Sequence, residues 1–128
     1  MDKPEPTASY MSNTKWRKLF RAIADLEINK CTWKLTDEKE PLDGHLPDPN
    51  VMGEDYVGDC GALNGPFSFN LIEWIHIPSK VGFRPYDKAP MQYNHQDIKE
   101  VERKINSAGN FQIEVDEDGV KIIGHKMR

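Results

Sequence analysis

A stretch of 27 residues that shows neither helical nor strand periodicity constrains this chain more than any other feature. Residues 36–62 include seven prolines and glycines, which favour turns over regular elements. The whole chain has 128 residues, the length of one ordinary domain, so the hydrophobic core has to come from the residues on either side. A loop of this length inside a small domain is typical of a functional segment.

The same segment holds most of the negative charge. It contains eight Asp and Glu residues and one lysine, a net charge of −7, whereas the rest of the chain carries +3 and the whole chain −4. A dense negative segment on a slightly basic body steers a basic protein partner and repels acidic ones. We therefore predict a non-enzymatic protein-binding module with an acidic loop at 36–62, similar in charge to immunity proteins that neutralise cationic nuclease toxins.

Within this acidic loop, exposed carboxylates would contact the partner and an aromatic side chain would anchor it. The predicted partner-binding residues are Asp43, Asp48, Glu54, Asp55, Tyr56 and Asp59.

Two stretches have the 3.6-residue period of amphipathic helices. The stripe that predicts a helix over residues 13–29 consists of Trp16, Leu19, Phe20, Ile23 and Leu26. Ser12 or Asn13 would cap it. A second helix, with a stripe at Ile98, Val101 and Ile105, is predicted to start after a cap at Asn94 or His95 and to stop before Gly109.

The remaining ordered stretches alternate as strands do. Residues 30–37 and 67–77 predict strands, and Asp118-Gly119 predicts a hairpin between residues 111–115 and 120–125. This order favours an α+β fold, in which two helices pack on one face of a mostly antiparallel sheet of four or five strands. We expect a single domain over residues 12–128 and a disordered tail at residues 1–11.

Several short motifs carry a resemblance. Asn-Thr-Lys-Trp at 13–16 opens the first predicted helix, Trp33-Lys34 follows it, and Gly65-Pro66-Phe67 leads into Ile-Glu-Trp at 72–74. Together these motifs resemble a family of small, uncharacterised bacterial proteins, a domain of unknown function. The resemblance implies a bacterial, cytoplasmic α+β protein, and it assigns no activity and no catalytic residue.

The alternative function is a small metal-assisted hydrolase, in which acidic-loop carboxylates such as Asp43 and Asp59 converge with His45 and Glu73 in a cleft. The spacing fits neither a calcium loop nor paired zinc ligands, so we predict no metal and no cofactor. Glu73, a lone charge on an apolar strand face, is expected to pair with Arg17 or Arg21 rather than to act as a general acid.

Other classes are disfavoured by composition. No apolar run approaches a membrane span, and the two cysteines cannot make a disulfide framework, which favours a cytoplasmic protein without a membrane partner. Cys60 follows an acid and Cys31 alternates with core residues, so neither is expected to be a nucleophile.

Nucleic-acid binding by the basic face of the first helix, at Lys15, Arg17, Lys18 and Arg21, is disfavoured in a chain this acidic. The oligomeric state is left open.

Overall fold

The computed structural model describes residues 6–26, 28, 30–58, 60 and 66–127. The helices are α1, Asn13–Ile23, and α2, Ile98–Ala108. The strands in these residues are β1 Pro6–Ser9, β2 Cys31–Leu35, β3 Leu42–Gly44, β4 Ile72–Pro78, β5 Lys80–Phe83, β6 Gln92–His95, β7 Ile113–Asp116, β8 Gly119–Ile123 and β9 His125–Met127. Two short 3-10 helices cover Pro49–Val51 and Phe69–Leu71.

The main sheet has five strands in the order β3-β2-β4-β8-β7, and all neighbouring strands are antiparallel. Leu19 of α1 and Ile105 of α2 belong to the same buried cluster as Trp33 and Ile75 of the sheet. Both helices therefore cover one face of this sheet, and the predicted α+β class with a mostly antiparallel five-stranded sheet is confirmed.

Four aromatic rings hold α1 against the sheet. The ring centroid of Phe20 lies 5.5 Å from that of Trp16, 5.8 Å from Trp33 and 6.2 Å from Phe69. Phe20 is 1% exposed, and Trp33 and Phe69 are fully buried. Aromatic pairs at this spacing add to the free energy that burial of their surface provides. Phe20 therefore links the helix to β2 and to the 3-10 helix before β4.

The helix boundaries differ from the predicted ones. The Ser12 hydroxyl caps α1 by accepting a hydrogen bond from Lys15 N, which confirms one of the predicted caps. The helix ends at Ile23 rather than at residue 29, because Leu26 packs against the core from the turn after the helix. The cap of α2 is Asp97, whereas the predicted caps, Asn94 and His95, lie in β6.

A β-bulge in β4 decides which of its side chains face the core. Lys34 pairs with Trp74 and Leu35 pairs with Ile72, so Glu73 is an extra residue in the strand. The bulge puts Ile72 on the buried face with Ile75, and it corrects the predicted facing of both Ile72 and Glu73. The strand also begins at residue 72 and not at 67, since the 3-10 helix Phe69–Leu71 precedes it.

The amino-terminal residues differ from the expected tail. Where we expected disorder over residues 1–11, β1 pairs with β9, and Tyr10 N donates to Gly124 O. Buried His125 fixes this contact, because its Nε2 donates to Asn70 O at 2.8 Å and its Nδ1 lies 2.7 Å from Ser9 Oγ. These are polar and backbone contacts, which leave no apolar pattern in residues 6–9. Residues 1–5 lie outside the described residues.

Two hairpins follow the central strand. The predicted Asp118-Gly119 turn joins β7 to β8, and Gly119 has the positive φ of 150° that such a turn requires. The stretch before α2, for which the sequence pattern predicts no strand, contains a second hairpin, in which β5 pairs with β6 from Lys80 and His95 to Phe83 and Gln92.

Removal of the Phe20 ring should destabilise the fold strongly. We expect Phe20→Ala to lower the free energy of unfolding by about 3–5 kcal/mol, because a large cavity opens between α1 and the sheet. The matched control, Tyr86→Ala, removes a ring that is 69% exposed and should change it by less than about 0.5 kcal/mol. Urea denaturation followed by circular dichroism measures both, and equal effects would contradict this account of the core.

Candidate functional site

The course of the acidic loop is set by the antiparallel pairing of β2 with β4. Leu35, the last residue of β2, lies opposite Ile72, the first residue of β4. Thr36 N donates to Leu71 O at 2.8 Å, and Phe69 N donates to Asp55 O at 3.1 Å. The chain after β2 and the chain around residue 55 therefore meet at the same end of the sheet, although they are far apart in sequence.

Carboxylates gather at this end. We call it the acidic end, and its acidic side chains, all exposed, are Asp37, Glu38, Glu40, Glu54 and Asp55. Two nearby cations bind main-chain oxygens there: the Arg17 guanidinium donates to Glu54 O, and Lys34 Nζ donates to Glu38 O at 2.6 Å. Among the described residues, none of these five carboxylates is in an ion pair. Their charge is therefore directed to solvent.

An open pocket of about 330 Å³ lies within the acidic end. Asp55 and Tyr56 form one side of it, and Pro66, Phe67 and Ser68 form the other. Phe67 is almost fully buried and packs edge-on against Trp33, so the apolar wall of the pocket is continuous with the core. Tyr56 is held beside it by a β-bridge to Ser68.

The Tyr56 ring lies close against the backbone of Gly53. A Cβ atom at position 53 would come within 1.9 Å of the ring, so glycine is required there for this ring position. The ring is nevertheless 43% exposed. The pocket therefore combines a carboxylate, a held aromatic ring and an apolar wall.

The structure does not bring all predicted partner-binding residues together. Glu54, Asp55 and Tyr56 lie at the acidic end. Asp43 pairs with Thr32 on the edge strand and contacts Lys30 at 3.8 Å. Asp48 caps the 3-10 helix Pro49–Val51, beside the pocket that follows α1. Asp59 lies outside the described residues.

The residues of the metal-assisted alternative are dispersed. Within the part of the chain that the structure describes, no three His, Cys, Asp or Glu side chains are grouped to hold a metal ion. His45 Nδ1 lies 2.9 Å from Leu46 O, to which it donates, and Asp43 contacts Lys30. Glu73 and Asp43 lie at opposite ends of β2. Asp43 pairs with Thr32, which on its other side pairs with His76, whereas Glu73 lies in the bulge at the other end of the strand. These positions give the hydrolase prediction no support.

Glu73 pairs with a different cation from the predicted arginines. Its Oε1 lies 3.3 Å from Lys34 Nζ, on the sheet face opposite the helices. Both side chains are mostly buried, at 16% and 19% exposure. On the same face, the Lys121 ammonium lies 4.7 Å from the centroid of the Trp74 ring. The prediction of Arg17 or Arg21 as the partner is wrong because the bulge moves Glu73 away from the helical face.

Both cysteines are buried. Burial, and to a smaller extent the nearby Cys60, raises the pKa of the Cys31 thiol to about 12. A thiol with this pKa is protonated at neutral pH, whereas a nucleophilic cysteine has to be a thiolate.

The basic face of α1 is partly used by the fold. Lys15 Nζ donates to Asn110 O at 3.3 Å, and Arg17 donates to Glu54 O and to Thr14 Oγ1. Two of the four cations that would have contacted nucleic acid are thus engaged with the chain's own oxygens.

No protein-family model, curated protein or solved structure matches this chain. Within the described residues, no helix is long and apolar enough to span a bilayer. The geometry of the acidic end is therefore the main guide to function.

The raised pKa of Cys31 predicts a loss of stability at alkaline pH. Above about pH 9 the unfolded chain releases the Cys31 proton while the folded chain keeps it up to a pH of about 12, so rising pH favours unfolding. Between pH 8 and pH 10.5 we expect the wild type to lose roughly 1–2 kcal/mol more unfolding free energy than Cys31→Ala. Urea titrations of both proteins measure this, and parallel pH profiles would contradict it.

Proposed function

We propose that this chain is a non-enzymatic protein-binding module, cytoplasmic as its motifs imply, whose acidic end binds a lysine or arginine side chain of a basic protein. The observation that carries the proposal is the pocket lined by the exposed carboxylate of Asp55, which forms no ion pair within the described residues, by the exposed ring of Tyr56 and by the apolar Pro66 and Phe67. A basic toxin of the kind that immunity proteins neutralise is one such partner.

The pocket matches the chemistry of a long basic side chain. Lysine and arginine have an apolar stem that packs on apolar surface and a charged head that stays near water. The stem would contact Pro66 and Phe67, while the head would reach Asp55 and the face of the Tyr56 ring. The other carboxylates of the acidic end would speed the encounter without taking part in the contact.

The acidic end is better suited to this role than the other acids of the loop. Asp43 is already paired with Lys30, and the carboxylate of Asp48 accepts a hydrogen bond from Asn50 N. A charge that is satisfied within the chain offers less to a partner. The proposal therefore retains Glu54, Asp55 and Tyr56 from the predicted partner-binding residues and adds Asp37 and Glu38.

Reversal of charge at the acidic end should slow association with the partner. Wild type and Glu54→Lys/Asp55→Lys are used for affinity capture from native cell extract, with mass spectrometry of the retained proteins. For a basic protein retained by the wild type, we expect the double variant to lower the association rate roughly tenfold or more at low salt and to flatten its salt dependence. Surface plasmon resonance with the purified pair measures both.

Two controls separate the site from general charge. Glu114→Lys/Glu117→Lys makes the same charge change at exposed acids of the β7 region and should leave the association rate within about twofold of the wild type. Gly53→Ala removes no charge but displaces the Tyr56 ring, and it should raise the dissociation rate. A partner whose kinetics respond equally to both charge reversals, or to neither, would refute the acidic end as its site.

A further inference from the structure

The β5–β6 hairpin is rigidly attached to the sheet. At its base the Gln96 amide donates to Pro78 O at 2.7 Å and to Lys30 O at 3.3 Å, and Gln96 N donates to Ser79 O. Ser79 in turn is bound to the β7–β8 turn, since its N donates to Asp118 O at 2.8 Å. The base of the hairpin is thus held by buried hydrogen bonds on both strands.

The hairpin itself is mostly exposed. All four residues of β6 are exposed, and none of the hairpin's apolar side chains belongs to the described core cluster. One face carries Met91 and Tyr93 over Gly82, with Lys80 Nζ 4.9 Å from the centroid of the Tyr93 ring. An exposed hairpin whose base is held by hydrogen bonds is typical of a preorganised binding element.

The tip of the hairpin contains an unusual backbone conformation. Lys88 has φ of 65° and is the one non-glycine residue with a positive φ among those the structure describes. Lysine is disfavoured in this region, where glycine or asparagine is usual. Arg84 Nη1 donates to Ala89 O at 2.8 Å, and this hydrogen bond stabilises the tip around Lys88. Strain of this kind at an exposed position points to a use for the side chain.

The Lys88 side chain is exposed and forms no ion pair within the described residues, and Tyr86, two positions earlier in the tip, is 69% exposed. The tip therefore offers the acidic-end pocket one exposed lysine head, next to the exposed acid Asp87 in the sequence. This hairpin leaves β4 at Pro78, whereas the acidic end lies where β4 begins at Ile72. The base of the hairpin and the acidic end thus lie at opposite ends of β4.

We propose that the occupant of the acidic end can be a second copy of this chain, which inserts Lys88 of its β5–β6 hairpin between Asp55 and Tyr56. The inference rests on the acidic-end pocket of the proposed function and names a second occupant for it, an exposed lysine of a chain whose net charge is −4. Another acidic surface, the β7–β8 turn, is a poorer acceptor because the Asp116 carboxylate already binds Asp118 N at 2.8 Å and Gly119 N at 3.2 Å. A contact between two different surfaces closes as a twofold dimer when each copy inserts its hairpin into the other, and otherwise it extends into short chains or rings.

Self-association would occupy the same pocket as a basic partner, so the two would compete. At high protein concentration the acidic end would be covered by neighbouring copies, and a basic partner would have to displace a hairpin to bind. The hairpin contact is small compared with a stable protein–protein interface, which makes the self-association weak and reversible.

Sedimentation equilibrium of the purified full chain tests the proposal. At about 0.02 M salt we expect the average mass to rise with concentration above that of a monomer, and at about 0.5 M salt to fall back toward that of a monomer, because screening weakens exposed charge contacts. A monomer at every concentration, or a dimer whose mass ignores salt, would overturn it. Retention of a single-stranded oligonucleotide by the hairpin, without self-association, would assign Lys88 to nucleic acid instead.

Variants at position 88 separate a binding role from a structural one. Lys88→Gly should weaken self-association roughly tenfold while raising Tm by roughly 2–5 °C, because glycine relieves the backbone strain. Lys88→Arg keeps charge and strain and should associate as the wild type does. Loss of association together with loss of Tm in Lys88→Gly would mean that the residue is merely structural, and it would refute the proposal.

A charge exchange identifies the two surfaces as partners. Lys88→Glu and Glu54→Lys/Asp55→Lys should each fail to self-associate alone, but their mixture should associate, since it pairs the unchanged tip of one variant with the unchanged acidic end of the other and the reversed tip with the reversed acidic end. No recovery in the mixture would refute the pairing of the hairpin with the acidic end. If basic-partner binding still depends on Glu54 and Asp55 in that case, the inference fails while the proposed function stands.

Discussion

The packing of Phe20 between α1 and the sheet is the interaction on which the other features depend. The chain is only 38% hydrophobic, so a few large rings have to provide much of the burial. Phe20 contacts Trp33 in the sheet and Phe69 in the 3-10 helix that precedes β4. The same cluster extends through Trp33 to Phe67, which forms a wall of the acidic-end pocket. Core and candidate site are therefore parts of one packed unit.

Antiparallel strand geometry brings the acidic residues together. The loop that follows β2 and the chain that precedes β4 must lie at the same end of the sheet, because the two strands run in opposite directions. Glu38 and Asp55 are brought to the same end of the sheet in this way, although 17 positions separate them. The same geometry separates Asp43 and Asp48 from them. A negative segment in the sequence has thus become one negative surface and two carboxylates with local structural roles.

The sequence predicted those parts of the fold that depend on side-chain periodicity. The stripes of α1 and α2, the alternation of β2 and the Asp118-Gly119 turn were sufficient for the fold class and the sheet type. Strand β1 and the β5–β6 hairpin were missed, because backbone pairing and contacts such as those of His125 and Gln96 leave no apolar pattern. For the candidate site, charge density indicated the segment, but only strand register could show that Asp55 and Glu38 lie at the same end of the sheet and that Phe67 lines the pocket. The predicted ion-pair partner of Glu73 was wrong because the two-residue alternation of a strand does not reveal a bulge.

That bulge also bears on how the chain tolerates insertions and deletions. Glu73 has the position of an inserted residue in β4. Ile72 and Ile75 are three positions apart, and both lie on the buried face because Glu73 is one extra residue between them. Deletion of one residue here would restore a regular ladder, and the other side chains of β4 would keep their faces. Deletion of one residue within Ile75–Ile77 would instead move the side chains on one side of the deleted position to the opposite face of the sheet. The backbone of residue 73 nevertheless has a structural role. Its carbonyl accepts a hydrogen bond from Gly124 N at 2.8 Å, at the point where the chain passes from β8 to β9. The extra residue joins the main sheet to the terminal one, and a homologue that lacks it would need another attachment for its amino-terminal strand.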